Sequence, residues 1–400
     1  MAMFKNIYNF IAQKATLNVA AILFAILALL TSVLDVLQGR NKMMGDVLTS
    51  HYNNYTIFKQ SFLHLWQHQN LYIHYNEVHF DLYKYAPTFA LLMMPFAYLP
   101  DIVGLSLWNV LNAIVLWYGI RSLPFSLSIR TRMSWFVLLE LMTAVQNDQS
   151  NALLAGLLLL AYSDLERDNM PRATFLLSIA TYIKIFPIVA FIWVLYYPNR
   201  WRGVAWSAFH ITWLAFVPML FVGWSQLLWQ YQNWWVMLAQ DYSDSSGLSV
   251  MAWFQTWFGV VAKKEILAIG ASIFIILGLL YPYFEIKKYR IGVVAATLIW
   301  MVIFNHKAES PTFVIAITGA ALWYFTKAKP STLDTILIVS AFIFTSLSPT
   351  DLFPRSLRES LVIPFVLKAV PCIWIWIKIG VEIIALKNNV SEIESSGLVE

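Results

Sequence analysis

The chain has 400 residues, of which 59% are hydrophobic and only 12% are charged. Soluble domains carry about 25% charged residues, so this composition excludes a soluble protein and indicates a membrane protein with several spanning helices. The net charge of +5 is spread over short loops such as 199–202 and 287–290, which favours anchoring at the cytoplasmic face of a membrane over nucleic-acid binding.

The first apolar run, residues 17–37, has about the 20 residues that a helix needs to cross a bilayer. Lys5 and Lys14 precede it and no small-residue cleavage site is present, so we expect a retained first span with the N-terminus in the cytoplasm. The single cysteine, Cys372, lies in an apolar run. The sequence therefore offers neither a disulfide nor a multi-cysteine metal site.

The longest polar stretch, residues 39–86, follows this span and by alternation lies on the extracytoplasmic side. Within it, Phe58, Phe62 and Leu65 share one helical face, whereas Lys59 and His64 take the other. This spacing predicts an amphipathic helix from Asn54 to His68. It can lie in the membrane interface or be an ordinary surface helix, and the neighbouring spans favour the interface.

Residues 87–99 form a short apolar segment of about 13 residues, a length more typical of a re-entrant or tilted segment than of a full span. A span at 103–120 follows directly. The basic segment 121–132 is then cytoplasmic if 87–99 is re-entrant and extracytoplasmic if 87–99 crosses the membrane. The sequence leaves both topologies open.

Two apolar runs, 133–145 and 152–163, flank an unusually polar hexad at residues 146–151. The next run, 173–197, is interrupted by Lys184-Ile185-Phe186-Pro187 and has basic residues at both ends. Equal charge at the two ends predicts a hairpin of broken helices shielded by protein, and one long kinked span is the alternative.

The rest of the chain adds further spans and a polar end. The spans are predicted at 204–223, 265–284, 291–304, 311–326, 332–347 and 359–380. We therefore predict an all-α bundle of about 10–12 transmembrane helices in one domain, residues 1–386, with a disordered cytoplasmic tail at 387–400. By alternation, the loops 39–86, 224–262, 305–310 and 348–357 face the outer side together.

Charged residues near the membrane are candidates for function because each is costly there, on the order of 3 kcal/mol at a helix centre. Lys84, Lys184, Lys263 and Arg355 fall near the outer interface, against the positive-inside rule, and could hold an anionic phosphate. The segment 305–311 brings His306 and Glu309 between two outer helix ends, where an ordinary connecting loop is the alternative.

Five histidines at positions 51, 64, 68, 74 and 79 raise the question of a metal site. His64 and His68 stand one helical turn apart, but no HExxH pattern accompanies them, so the sequence predicts no metal ion. No nucleotide-binding glycine loop is present, and no cofactor is expected.

Several short segments resemble a known family. They are Asn53-Asn54-Tyr55-Thr56-Ile57-Phe58, Asn70-Leu71-Tyr72, Tyr85-Ala86-Pro87-Thr88-Phe89-Ala90-Leu91 with Pro95 and Pro100, and Leu107-Trp108-Asn109. They resemble the opening of glycosyltransferase family 87, the polyprenol-phosphate-mannose-dependent mannosyltransferases with the GT-C membrane fold. Gln149-Ser150-Asn151 resembles that family's Gly-Gln-x-Asn motif without its glycine, and 184–187 is similar to its Lys-x-x-Pro. The likeness runs in order over about residues 15–320.

The resemblance implies a polyprenyl-phosphate sugar donor, an acceptor hydroxyl at the outer surface, and inversion at the anomeric carbon by one direct displacement. It also implies a carboxylate in the first outer loop as general base, yet the family's aspartate falls on Asn54, whose amide cannot accept a proton. Asp81 is the first substitute, because partial burial would strengthen it as a base. Glu309 beside His306 is the second, and Asp46 and Glu77 are further candidates.

The same resemblance assigns the substrate contacts. Lys84 would bind the donor phosphate and stabilise it as leaving group, although an ordinary surface pair between Asp81 and Lys84 is the alternative. The family motifs add the substrate-binding residues Asn54, Tyr55, Tyr85, Gln149 and Asn151.

These expectations describe a glycosyltransferase of the bacterial inner membrane, surrounded by membrane lipids. It is expected to move a hexose, with mannose expected, to a lipid-linked, glycan or protein acceptor at the periplasmic face. A flippase of lipid-linked sugars or an inactive GT-C relative is the main alternative, supported by Asn54. A polysaccharide polymerase or ligase that uses diphosphate-linked donors is the third class.

Overall fold

The structure is a computed structural model that describes residues 16–240, 245–280 and 283–395. Lys5 and Lys14, on which the predicted orientation of the first span depends, lie outside these residues. The described part falls into two compact units. Unit 1 takes the described residues of Met1–Leu123, Ala144–Ile188 and Arg202–Asp244, and unit 2 takes those of Pro124–Thr143, Val189–Trp201 and Ser245–Glu400.

The protein is an all-α membrane protein apart from one small hairpin. Three described helices are long and apolar enough to cross a membrane, namely Leu17–Gln38, Asp101–Ser122 and Arg200–Leu220. Shorter apolar helices occur at Asn151–Leu165, Phe186–Tyr196, Ser310–Phe325 and Thr332–Leu347. The number of spans and the GT-C bundle therefore remain predictions.

Unit 1 is built mostly from helices in its described residues. They are Leu17–Gln38, Asn53–Trp66, Pro87–Leu92, Met94–Ala97, Asp101–Ser122, Asn151–Leu165, Met170–Ile183, most of Arg200–Phe216, the 3-10 turn Val217–Leu220, and Trp224–Gln240. The first of these begins where the Thr16 side chain accepts a hydrogen bond from Val19 N–H at 3.2 Å, and it ends at Gly39, whose φ is +70°. An N-cap side chain is a common start of a helix, and a positive φ is a conformation that glycine adopts freely.

Asp101–Ser122 and Asn151–Leu165 pack closely in unit 1 because two glycines lie at their crossing. A Cβ on Gly119 would come within 2.6 Å of the Gly156 carbonyl oxygen. Small residues let two membrane helices approach until their backbones touch. This packing holds the start of Asn151–Leu165, where the polar hexad ends, against Asp101–Ser122, which contains the Leu-Trp-Asn motif.

A two-stranded hairpin, Lys42–Met44 with Val47–Thr49, departs from the all-helical prediction. Its turn is Gly45-Asp46, and the φ of Gly45 is +57°. A Gly-Asp pair between short strands is a hairpin signal that the sequence contains.

The predicted amphipathic segment forms a helix at Asn53–Trp66, the loop helix. Its apolar face is buried, and much of its polar face is covered as well. His64 is 8% exposed, and Lys59 donates to Asp101 Oδ1 at 2.7 Å. Lys59 and His64 therefore do not form the water-exposed face that an amphipathic helix would have. The location of this helix in the membrane interface remains a prediction.

The segment 87–99 contains two short helices, Pro87–Leu92 and Met94–Ala97. Neither is long enough to cross a bilayer. Pro87 and Pro95 each lie in the first turn of their helix, where a missing N–H costs no hydrogen bond.

The run 173–197 is broken at Lys184, as the Lys-Ile-Phe-Pro sequence predicts. Met170–Ile183 ends there because Lys184 is extended, with φ −141° and ψ 143°, and a 3-10 helix follows at Phe186–Tyr196. A single continuous helix is therefore not formed.

Unit 2 is also helical in its described residues. Its elements are most of Leu127–Val145 and of Phe186–Tyr196, then Val250–Phe258, Lys263–Gly278, Lys287–Ile303, Ser310–Thr312, Phe313–Phe325, Thr332–Ser340, Ala341–Leu347, Arg355–Leu357, Arg358–Val362 and Val370–Ser395. The last helix continues through residues 387–395, which the sequence predicts to be disordered.

A buried ion pair that the sequence analysis did not identify lies inside unit 2. Lys368 Nζ is 2.7 Å from Glu140 Oε1, and the side chains are 6% and 0% exposed. Lys368 also donates to the Thr345 carbonyl at 2.8 Å. Breaking such a pair leaves a buried charge without compensation, so each residue depends on the other.

Candidate functional site

Asp81 lies in a tight turn of unit 1 and its carboxylate is already hydrogen-bonded. Its φ is +73°, and its Oδ1 accepts from Leu82 N–H at 2.7 Å. Its Oδ2 accepts from Lys84 Nζ at 3.0 Å, and the Asp81 side chain is 47% exposed. The carboxylate therefore lacks the burial that the sequence argument assumed, and it forms the pair with Lys84 that was the alternative prediction.

The first turn of the loop helix connects Asp81's turn to the hexad at 146–151. The Asn53 side chain bonds both backbone groups of Phe80, each at 2.9 Å. The adjacent Asn54 donates through Nδ2 to the Asn147 carbonyl at 2.9 Å. Two neighbouring amides thus hold two polar segments that are far apart in sequence.

Lys184 contacts the hexad at its last residue, Asn151. Its Nζ donates to Asn151 Oδ1 at 2.8 Å, and Asn151 Nδ2 donates to Gln149 Oε1 at 2.6 Å. The ammonium also lies 5.9 Å from the ring centroids of Tyr85 and Phe186. Because Lys184 ends its helix in an extended conformation, its side chain reaches the first turn of Asn151–Leu165.

Unit 1 therefore brings together five of the residues predicted from sequence, in what we call the amide–lysine cluster. Its members are Asn54, Tyr85, Gln149, Asn151 and Lys184. Tyr55, by contrast, is fully buried, and its hydroxyl donates to the Phe96 carbonyl at 3.5 Å. Its surroundings are those of a core residue, and a role in substrate binding stays a prediction.

In unit 2, the segment 245–248 contacts Lys263 and the loop of His306 and Glu309. Leu248 N–H donates to the Ala308 carbonyl at 2.8 Å, which holds the loop of His306 and Glu309. Lys263 Nζ donates to the Ser245 carbonyl at 3.1 Å. Arg355 instead forms an exposed pair with Glu359 at 2.6 Å. Since Asp81 and Lys84 belong to unit 1, their predicted meeting with His306 and Glu309 stays a prediction.

Two histidines of the first loop, His64 and His79, have surroundings that favour a neutral ring. His64 stacks on Tyr75 with centroids 3.9 Å apart, and burial together with the nearby His79 lowers the pKa of His64 to about 4. Burial also lowers the pKa of His79. The described residues contain no group of three or more His, Cys, Asp or Glu side chains that could hold a metal ion.

A comparison with models of known protein families shows to which family the chain belongs. A sequence model of glycosyltransferase family 87 matches residues 83–349, well over half of the chain. The chain belongs to glycosyltransferase family 87. A search of curated proteins finds no match.

Membership of family 87 makes this protein a membrane glycosyltransferase and confirms the resemblance inferred from its motifs. The matched range includes Lys84, Tyr85, the hexad, Lys184 and the loop of His306. It begins after Asn54 and Asp81. The assignment of the missing aspartate to Asn54 therefore depends on the first-loop resemblance alone.

The structure explains why the family 87 glycine of the Gly-Gln-x-Asn motif can be replaced here. Asp148 occupies that position with a φ of +52°, the left-handed region that glycine adopts freely and aspartate tolerates better than most residues. Its Oδ1 accepts from Asn109 Nδ2 at 2.9 Å, and its carbonyl accepts from Trp108 Nε1 at 2.9 Å. The Leu-Trp-Asn motif thus supports the hexad.

Asp148 is a buried acid that the sequence analysis did not select as a candidate site residue. It is 1% exposed, and its Oδ2 has no hydrogen-bond partner among the described residues. Burial raises the pKa of the Asp148 carboxyl well above its usual range, and the hydrogen bond from Asn109 opposes this only in part. The signal available in the sequence was an acid within a polar hexad between two apolar runs.

Proposed function

We propose that this glycosyltransferase moves a hexose, mannose in the first instance, from a polyprenyl phosphate to the hydroxyl of a lipid-linked, glycan or protein acceptor. The reaction takes place at the periplasmic face of the bacterial inner membrane, on a GT-C fold. Family membership supports the glycosyl transfer, and the amide–lysine cluster supports a polar substrate held beside apolar helices.

The observation that carries this proposal is the connection made by Asn53 and Asn54. These residues hold the turn of Asp81 and Lys84 on one side and the hexad on the other. An acid, two lysines and several amides are therefore tied to one short helix. Sugar hydroxyls need neutral hydrogen-bonding partners and a phosphate needs cations, and this set supplies both.

The donor phosphate is assigned to Lys84 and Lys184. Lys263 and Arg355, which belong to unit 2, stay predicted phosphate ligands. Charge-assisted hydrogen bonds from an ammonium stabilise the extra negative charge that the phosphate gains as it leaves. In the described structure Lys84 is paired with Asp81. A bound phosphate competes for this ammonium and thereby releases the Asp81 carboxylate for chemistry.

The transfer is a single displacement. Asp81 takes the proton from the acceptor hydroxyl, and the acceptor oxygen forms a bond to the anomeric carbon. The bond from that carbon to the phosphate oxygen breaks, and polyprenyl phosphate leaves. Glu309, with His306 beside it, is the second candidate for the base.

The test is turnover by the purified chain with polyprenyl-phosphate mannose and a membrane extract as the source of acceptor. We expect acceptor-dependent release of polyprenyl phosphate. A diphosphate-linked donor is expected to be inert, because the proposed site is built for a monophosphate. Turnover only with the diphosphate donor would replace this proposal by a polymerase or ligase.

Asn54 favours a second candidate, a flippase of lipid-linked sugars or an inactive relative. Its amide donates to a backbone carbonyl and cannot act as a base. A fluorescent polyprenyl-phosphate sugar in reconstituted vesicles distinguishes the two functions. Movement between leaflets without any product would support the flippase.

A further inference from the structure

Unit 2 contains a cavity of about 720 Å³ that is lined by an excess of lysines, which we call the lysine pocket. Its lysines are Lys287, Lys288, Lys327, Lys329 and Lys378. Two acids, Asp334 and Glu382, complete its charged lining. The volume lies within the range of about 300–1,000 Å³ that is typical of ligand sites. By the positive-inside rule, the basic segments 287–290 and 327–329 are predicted to mark cytoplasmic turns.

The two acids neutralise two of the lysines. Lys327 lies 2.9 Å from Asp334 Oδ2 and 2.7 Å from Glu382 Oε1. Lys378 lies 3.1 Å from the same Glu382 oxygen. Asp334 is in addition fixed by the capping box with Ser331 at the start of Thr332–Ser340. These four charged groups form a balanced network in the wall of the pocket.

The other three lysines of the pocket take no part in this network. Lys287 lies over the ring of Phe125 at 5.5 Å. Lys288 and Lys329 are exposed and form no ion pair with any side chain that the structure describes. The pocket therefore has surplus positive charge without an anion of its own to match it.

The walls of the pocket are apolar, and so are the helix surfaces beside it. Phe125, Trp323, Ile379 and Ile383 are among the lining residues. Thr332–Ser340 exposes the apolar side chains of Leu333, Ile336 and Val339, and Val370–Ser395 exposes those of Val381 and Ile384. A ligand that matches this surface has an anionic head and hydrocarbon chains.

We propose that the lysine pocket binds the phosphodiester headgroup of an anionic membrane phospholipid. Lys288 and Lys329 hold the phosphate oxygens, and the acyl chains lie along the exposed faces of Thr332–Ser340 and Val370–Ser395. Basic pockets between membrane helices are suited to anionic headgroups, since charge-assisted hydrogen bonds hold the phosphate while the bilayer supplies the lipid. This site is separate from the donor-phosphate lysines assigned above.

The experiment measures lipid binding to the purified full chain in detergent by native mass spectrometry. The probes are dioleoylphosphatidylglycerol, dioleoylphosphatidylcholine with the same chains but a neutral headgroup, and glycerol 3-phosphate without chains. We expect saturable binding of phosphatidylglycerol, with both other probes at least about tenfold weaker. Equal binding of phosphatidylcholine would overturn the proposal, and equal binding of glycerol 3-phosphate would show a free phosphate ester to be the ligand.

Two variants locate the site. Lys288→Gln with Lys329→Gln is expected to weaken phosphatidylglycerol about 25-fold, since each lysine near an anionic lipid contributes about fivefold. Ala328→Trp fills the pocket lining without changing charge and is expected to weaken it as well. The matched control, Arg202→Gln with Lys264→Gln, removes two exposed cations outside the pocket. Binding unchanged in both pocket variants, or lost equally in the control, would contradict the proposal.

Discussion

Asp81 has two hydrogen-bonded neighbours that govern how its carboxylate can react, the N–H of Leu82 and the ammonium of Lys84. If it is the base, Asp81→Asn should lower turnover by about 100-fold to 10,000-fold, the usual contribution of general acid–base catalysis. Donor binding should not weaken, because the amide keeps the shape of the turn and the Lys84 ammonium no longer has to leave an ion pair with Asp81. Single-turnover kinetics with polyprenyl-phosphate mannose, together with donor titration, separate the two effects.

Three further variants act as controls for this experiment. Lys84→Ala should weaken donor binding as well as turnover, because the proposed partner of Lys84 is the phosphate in both the ground and the transition state. Asn54→Asp should partly rescue Asp81→Asn if both carboxylates reach one substrate. Full activity in Asp81→Asn with an inactive Glu309→Gln would move the base to the loop of His306.

His64 predicts a pH dependence of stability. Its pKa is lowered from 6.5 to about 4 in the folded protein, so between these values the unfolded chain binds the proton and the native ring does not. The stabilisation from the neutral ring is therefore complete above about pH 6.5 and is lost as the pH falls towards 4. His64→Phe should reduce the fall in unfolding temperature across this window.

The measurement is thermal unfolding in detergent at several pH values between 4 and 7. His74→Gln is the matched control because His74 is exposed in the same loop. An unchanged fall in His64→Phe would show that another titrating group governs this window. The buried His79, whose pKa is also lowered, is then the next residue to replace.

At the scale of elements, the crossing of Asp101–Ser122 with Asn151–Leu165 depends on glycine. Gly119→Ala places a Cβ within 2.6 Å of the Gly156 carbonyl oxygen, so the two helices must move apart. Overpacking of this kind costs about 1–3 kcal/mol. We expect a lower unfolding temperature and weaker donor binding, since the hexad ends at Asn151, in the first turn of the helix that carries Gly156. Gly223→Ala is the control, because its Cβ meets no atom within 4 Å.

The positions of the helices could be predicted because their limits have local causes. Hydrophobic runs set the spans, Thr16 caps one helix, and Pro187 follows the break at Lys184. The loop helix was placed correctly to within a turn, but its burial was not, because Asp101, the partner of Lys59, lies in a later helix.

The site could be predicted only in part for the same reason. The short motifs selected Asn54, Gln149, Asn151 and Lys184, because each motif lies within a few residues of sequence. The structure shows contacts of these side chains with the hexad, and their roles in binding stay predictions. The support of Asp148 by Asn109, and the link from Asn53 to Phe80, are contacts between distant segments. Hydrophobic periodicity contains no information about such contacts.

At the scale of the whole molecule, the proposed reaction requires the loop 39–86 to face outward and the turn at 327–329 to face the cytoplasm. Since Cys372 is the only cysteine and is buried, Cys372→Ser provides a background for labelling. His74→Cys should react with a membrane-impermeant maleimide in right-side-out vesicles, and Ala328→Cys should react only after the membrane is opened. The reverse pattern would place the site on the cytoplasmic side.

The buried pair of Glu140 and Lys368 has a consequence for biogenesis. The two residues are 228 positions apart, so the ribosome delivers the acid to the membrane long before the base. Until the segment that carries Lys368, just before Val370–Ser395, is synthesised, Leu127–Val145 holds a carboxyl group without its partner in a hydrophobic environment. Leu127–Val145 therefore cannot complete its packing in unit 2 before Lys368 has been synthesised. In this protein, the arrival of Lys368 marks the stage at which the folded state of unit 2 first becomes accessible to the nascent chain.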